Sequence, residues 1–297
     1  RANNGRDRFI ADLTGANLKA AVFIAYGFND ARYVAAPATF NVASYLADYR
    51  EILNGLIVLG YARADVYLGA PYYVTDTGLV TGTTGFSGQT RAAYEAFVAA
   101  AAAVAAEYGV NYCDLYAELN TPAFIAEVDG NDNTHPLDTG HGSIATAWQT
   151  RTFAGTALNA RAAPSSVTPT GGVLQIAADC ATVSGATSYE FVPMLSYVDG
   201  ATTTDSDGSG AVMTLAAGSY RIKARAVFGD GTRSPWVFAA SDVTVSAAAD
   251  TAAPTLSSPT DAANGSSGGT LSVSTDEGNG TLYWFVSISG TPPSAAD

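Results

Sequence analysis

The sequence predicts a three-layer α/β/α fold on a parallel sheet, followed by an all-β sandwich. Three observations carry this. Apolar strand-like runs alternate with helical stretches over residues 1–160. The helical pattern all but vanishes beyond Ala163. Residues 219–228 (SYRIKARAVF) then alternate apolar and polar one by one. A length of 297 residues suits two or three domains, and 47% hydrophobic residues suffice for a real core.

The elements follow in chain order. Residues 20–26 (AAVFIAY) form a continuous apolar run, as in a strand buried on both faces. Phe40, Leu46, Tyr49, Leu53 and Leu56 then recur near helical spacing. Residues 64–70 (ADVYLGA) read as a second strand, ended by Pro71, and a Gly/Thr/Tyr-rich loop runs on to Gly88. Thr90 to Tyr108 is a helix by propensity, stopped by Gly109. Residues 110–115 (VNYCDL) read as a third strand, and a polar loop over 129–139 leads into a last helix from about Gly140. This order implies a parallel sheet with helices on both faces, whose functional groups gather at the C-terminal ends of the strands.

In residues 164–248 the alternation puts Tyr220, Ile222, Ala224, Ala226 and Phe228 on one strand face, with Arg221, Lys223 and Arg225 on the other. This is the pattern of a half-buried antiparallel strand. The stretches VSGATSYEF and GSYRIKARAVFGDGTRSPW resemble the middle and late strands of a fibronectin type III domain, although the usual second-strand Trp is absent from LQIAADCATV. Residues 249–297 open with a linker (AAADTAAPTLSSPTDAANGSSGG), then place two alternating runs around an Asp-Glu-Gly-Asn-Gly turn, a hairpin pattern. They resemble the first half of a bacterial Ig-like module and are too few for a complete sandwich of about 100 residues. The domains expected are therefore 1–163, 164–248 and 249–297.

Composition narrows the function. Net charge is −13, with Lys19 and Lys223 the only lysines. Neither half offers a basic patch, which argues against nucleic acid as a partner. No apolar run is long enough to span a bilayer. Two Cys and two His cannot build a cysteine-zinc or histidine-rich metal site, and no cofactor is expected. The chain starts at Arg1, not Met, so signal removal, processing and truncation all stay open.

Two segments could carry chemistry. In DGNDNTHPLDTGHGSIA (129–145), Asp132 and His135 stand three apart in a polar loop before a helix. A hydrolytic base needs a carboxylate on one imidazole nitrogen, so that the other can take a proton from a nucleophile. A bare D-x-x-H also caps helices. In YGFND (26–30), directly after the first strand, Gly27 permits a sharp exit and Asn29 can donate to a developing oxyanion. Alone, this is also an ordinary turn. The acids Asp129, Asp132 and Asp138 lack calcium-loop spacing, and Thr81 to Gly88 lacks the Lys-Ser/Thr of a phosphate-binding loop.

Together, G-x-N-D after a strand and D-x-x-H-P followed by G-H-x-x-I-A resemble the third and fifth blocks of the SGNH (GDSL-type) hydrolases, with VYLGAPYY and residues 94–119 agreeing between them. The resemblance covers about residues 6–150 and implies a flavodoxin-like α/β/α sheet. It further implies His135 as general base, Asp132 as its orienting carboxylate, Asn29 as an oxyanion donor, Gly27 as the turn, and Asp30 as a brace for the loop. His141 would support the site residues from behind or be structural, because the base position is already filled. The family's nucleophilic Ser belongs to a G-D-S block on an earlier strand, and residues 1–26 contain no Ser. Ser87, in GFSGQ, opens a helix and is misplaced for the role.

Two functions follow as expectations. One is a serine esterase whose Ser lies upstream of Arg1, acting on an acylated glycan such as a cell-surface polysaccharide, in an extracellular or virion-associated protein. The other is a non-catalytic phage fibre or adhesin that keeps the hydrolase fold and meets other virion proteins. A G-D-S strand upstream of Arg1 would separate the two.

Overall fold

The computed structural model describes residues 1–154, 159–249, 255–263 and 269–275. Two short helices, α1 (Ala2–Arg6) and α2 (Phe9–Leu13), precede strand β1 (Val22–Ile24). Then come α3 (Phe28–Arg32), α4 (Val42–Val58), β2 (Val66–Gly69), α5 (Asp76–Val80), α6 (Arg91–Tyr108) and β3 (Asn111–Cys113). Helices α7 (Leu115–Glu118), α8 (Pro122–Asp129) and α9 (Asp138–Ala154) complete this part. The strands pair in parallel in the order β1-β2-β3, with Val22 beside Val66 and Tyr67 beside Asn111.

Local chemistry sets the helix ends. Asn41 caps α4 by accepting the Ser44 N–H at 2.9 Å, and Thr90 caps α6 by accepting the Ala93 N–H at 3.2 Å. Gly109 stops α6 in the left-handed conformation at φ 64°. The Gly/Thr/Tyr-rich stretch expected to be loop contains α5, whose cap Thr75 accepts the Gly78 N–H. Alternation along β1 turns Phe23 toward α9, where it meets Trp148 edge-on and stacks on Tyr67. A Cβ on Gly69 would fall 2.6 Å from the same Trp148 ring. The other face, with Val22, Ile24, Val66 and Leu68, is buried, and α6 packs against β2 and β3. Helices thus flank both faces, but the outer face of β1 is not buried as its apolar run implied: Phe23 stays 48% exposed at the edge of the described sheet.

The all-β part stacks two antiparallel sheets. One is β4 (Val167–Gly171), β5 (Gln175–Cys180) and β9 (Ala211–Thr214). The other centres on β6 (Ala186–Leu195) and β10 (Gly218–Phe228), joined by β7 (Val198–Asp199), β8 (Thr203–Asp205), β11 (Val237–Phe238) and β12 (Val243–Val245). Ile176, Met213, Phe191, Ile222 and Ala224 close a core between them.

The second face of β10 departs from expectation. It is not a solvent face: Lys223 is 0% exposed. Its Nζ donates to Asn54 Oδ1 (3.1 Å), Tyr108 Oη (2.8 Å) and Asp199 Oδ2 (2.9 Å). It also lies 4.7 Å from the Trp236 ring centre. Trp236 donates to Glu107 Oε1 at 2.7 Å, and Arg50 donates to the same carboxylate. This face therefore docks on α4 and α6, and Val192 and Trp236 join the apolar cluster of the α/β part. Residues Arg1–Ala247 form one compact unit that holds two apolar cores.

The second unit spans Ala248–Asp297. The segment read as a linker contains β13 (Leu256–Ala263), which pairs antiparallel with β14 (Gly269–Thr275). Backbone pairing here overrode a Ser/Pro/Gly composition that reads as a linker. The hairpin expected around residues 276–280 lies outside the described residues.

Burial pushes the Lys223 pKa down to about 8, against Asp199 and Glu107, which raise it, while Arg50 lowers it further. Lys223→Ala should cost about 3 kcal/mol in urea unfolding, because it removes a fully buried side chain and leaves the Asp199 carboxylate without its cation. Between about pH 8 and pH 10 the unfolded state, with Lys223 nearer 10.5, binds the extra proton. The stability of the wild type relative to Lys223→Met should therefore rise with pH across that window. A flat or falling difference would refute it.

Candidate active site

The site is built from two chain segments and a loop. Gly27 leaves β1 at φ 114°, a left-handed conformation that a side chain resists, and a Cβ there would meet Tyr45 Oη at 2.7 Å. The turn is held from α4: Tyr45 and Tyr49 hydroxyls donate to the Tyr26 carbonyl at 3.3 and 3.1 Å. Asn29 follows on α3 and is exposed. Asp30 turns inward, is buried, and accepts the Ala2 N–H on both carboxylate oxygens at 3.2 Å. Burial pushes its pKa up, and the Ala2 N–H opposes this. It braces the loop.

Asp132 and His135 meet within one turn. His135 Nδ1 lies 2.7 Å from Asp132 Oδ2, and Oδ1 accepts the backbone N–H groups of Thr134 (2.9 Å) and His135 (2.6 Å). Two donors from the turn itself thus aim the carboxylate at the ring. Burial pushes the Asp132 pKa up, but these hydrogen bonds outweigh it and hold it at about 2. With the carboxylate accepting Nδ1–H, Nε2 is left free to accept a proton. Asn131 Nδ2 donates to the His135 carbonyl at 3.0 Å and secures the end of the turn.

A cavity of about 580 Å³ gathers these groups: Asn29, Asp132 and His135 all line it, beside Arg32, Thr134 and Phe86. Gly27 does not line it; it forms the turn that opens α3. Ser87 does not line it; its hydroxyl donates to the Val80 carbonyl at 2.6 Å. His141 is exposed on α9, away from the cavity lining. Among the described residues, no three His, Cys, Asp or Glu side chains gather as a metal site.

The residue that sequence reasoning missed is Arg32. Its Nη2 donates to the carbonyls of Gly78 (3.0 Å) and Thr81 (2.8 Å) and to Thr134 Oγ1 (3.1 Å). One side chain therefore ties α3 to the 78–86 loop and to the Asp132–His135 turn. Tyr72 adds a hydrogen bond to the Thr134 carbonyl at 2.9 Å and stacks on Phe28. No sequence signal singled it out: α3 is five residues long, too short for a helical period to show that Arg32 shares a side with Asn29.

Residues 2–142 match the model of the GDSL-like lipase/acylhydrolase family, a span that holds the whole parallel sheet and every residue of the cavity. Among solved structures, the chain is similar to a GDSL-like lipase candidate from Parabacteroides merdae, at 18% identity over 52% of this chain and 68% of that one, TM-score 0.41. It is also similar to fibronectin(III)-like modules of Clostridium thermocellum CbhA, at 17% identity over 28% of this chain and 99% of that one, TM-score 0.21. A Cellulomonas fimi endo-β-1,4-mannanase double mutant is similar at 15% identity over 80% of this chain and 51% of that one, TM-score 0.21. Comparison with curated proteins gave no match.

The depressed Asp132 pKa has a pH signature. Its contribution to stability is present above pH 3.8 and lost as pH falls through about 2, because the unfolded carboxyl takes its proton first. Carboxyl carbon shifts in NMR should titrate near 2 in the wild type and move toward 3.8 in His135→Ala. An unchanged midpoint would show that the ring does not hold the carboxylate.

Proposed function

We propose that the α/β part is the base and oxyanion side of a serine ester hydrolase. The Asp132–His135 pair, at 2.7 Å in one cavity with Asn29, carries this reading, and the family match of residues 2–142 supports it. His135 Nε2 takes the proton of a serine hydroxyl as its oxygen attacks the ester carbonyl. Asn29 donates to the oxyanion, and the proton passes to the leaving alcohol. Water, deprotonated by the same nitrogen, then releases the acid.

The serine is assigned to a further strand beside β1. Among the described residues β1 pairs only with β2. A cavity of about 510 Å³ runs beside β1, lined by Ala21 through Tyr26 together with Gly5, Phe9 and Ile52. A strand laid there would end level with Gly27, at the end of the sheet where Asn29 stands. Residues 164–248 we read as fibronectin type III-like, which suits a multidomain extracellular or virion protein working on acylated cell-surface polysaccharide. Among the described residues no helix is long and apolar enough to cross a membrane.

An aryl acetate assay tests the reading. The chain of residues 1–297 should be no faster than its own His135→Ala variant, since a base needs a hydroxyl within reach. A form extended ahead of Arg1 with the Ser-bearing strand should gain on the order of 10⁶ in rate, and lose it on His135→Ala. An extended form inactive on every ester would make the domain a binding scaffold instead.

A further inference from the structure

The candidate cavity contains a buried cation that no carboxylate neutralises. Arg32 is 3% exposed, and each hydrogen bond it donates goes to a neutral acceptor: three carbonyls and the Thr134 hydroxyl. All four come from Nη2. Nε is buried with no partner, and Nη1 makes no hydrogen bond to any described residue. The Phe28 ring centre lies 5.3 Å from the guanidinium carbon.

This differs from Lys223, the other buried cation among the described residues, which has Asp199 at 2.7 Å. A buried charge without a counter-ion is costly, and one leaving donors unused costs more. Burial lowers the Arg32 pKa, with Tyr72, Tyr94 and Asp132 pushing the other way, and a guanidinium keeps its proton regardless. The one acid beside it in the cavity, Asp132, is already committed: its oxygens accept from Thr134, from His135 N–H and from the His135 ring.

We infer that Arg32 is a specificity residue whose Nη1 receives a carboxylate carried by the substrate, so that the cavity selects acidic esters, such as an O-acylated acidic sugar, over neutral ones. The word substrate rests on the hydrolase reading; the carboxylate site does not. Geometry favours the pairing. Arg32 and Asn29 stand on one short helix, and both line the cavity with His135. An ester held at Asn29 and His135 would carry a carboxylate a few bonds away toward the guanidinium. Thr81 and Thr83 supply further hydroxyls on the same wall.

The test is binding of monomethyl succinate against neutral dimethyl succinate, followed by amide NMR shifts on the chain of residues 1–297. The monoanion should bind at least tenfold more tightly and shift the amides of Thr81, Thr83, Thr134 and His135. Arg32→Gln should abolish the preference, and Arg32→Lys should keep part of it. Arg32 also braces three segments, so Thr83→Asp provides a second arm: it places a competing carboxylate on the cavity wall without touching any Arg32 hydrogen bond. It too should remove the preference. Equal affinities for the two esters, a preference unchanged in Thr83→Asp, or shifts confined to another surface would overturn the inference. Inorganic phosphate binding as tightly as the succinate monoester would overturn the carboxylate assignment. Ester hydrolysis by the extended form is read separately. Binding without hydrolysis removes the hydrolase reading and leaves the site, and hydrolysis without anion preference does the reverse.

Discussion

The burial of Lys223 is the constraint on which the rest of the unit depends. A fully buried ammonium must find acceptors, and it finds them on three separate segments: Asn54 on α4, Tyr108 at the end of α6, and Asp199 on β7. The partners are themselves tied together. Tyr108 donates to Asn54 Oδ1 at 2.6 Å, and Asn54 Nδ2 donates to Asp199 Oδ1 at 2.8 Å. A closed network of this kind tolerates little displacement, because each lost bond leaves a buried polar group unpaired. The β10 face that carries Lys223 is thus held against α4 and α6.

Helix α4 carries that constraint toward the cavity. Two turns before Asn54 it presents Tyr45 and Tyr49, whose hydroxyls hold the Tyr26 carbonyl at the exit of β1. The strained turn at Gly27 follows, and then α3 with Asn29 and Arg32. Arg32 in turn reaches the loop that carries Asp132 and His135 through Thr134. The path is one of packed side chains and hydrogen bonds, and each step is a contact between segments distant in the chain. The Asp132–His135 pair differs in kind. Its geometry is made within a single turn, by backbone N–H groups on one carboxylate oxygen and the imidazole on the other.

Much of the architecture was legible in residue pattern alone. Apolar runs marked β1, β2 and β3, although only the central strand β2 is buried at every position, as a strand covered on both faces must be. Thr90 and Gly109 marked the ends of α6 through cap chemistry that acts within a few residues. The Asp132–His135 pair was legible for the same reason, since three-residue spacing closes on itself. Gly27 and Asn29 stood out as a turn after a strand. The short helices α3, α5 and α8 were not legible; α3 and α5 are five residues each, too short for an apolar period to show.

The sequence by itself therefore determined the order of elements, the alternation of β10 and the local pairing of carboxylate with imidazole. Each depends on residues within a turn or two of one another. Only the tertiary structure decided what the polar face of β10 meets, that Leu256–Ala263 pairs as a strand, and that Arg32 stands buried and unneutralised beside the cavity. Arg221, Lys223 and Arg225 look alike in sequence, as a charged face turned to solvent. The burial of Lys223 depends on Asn54, Tyr108 and Asp199, and those partners lie 24 to 169 positions away. No pattern within the strand encodes that distance, because the energy of a buried charge is set by what folding brings beside it.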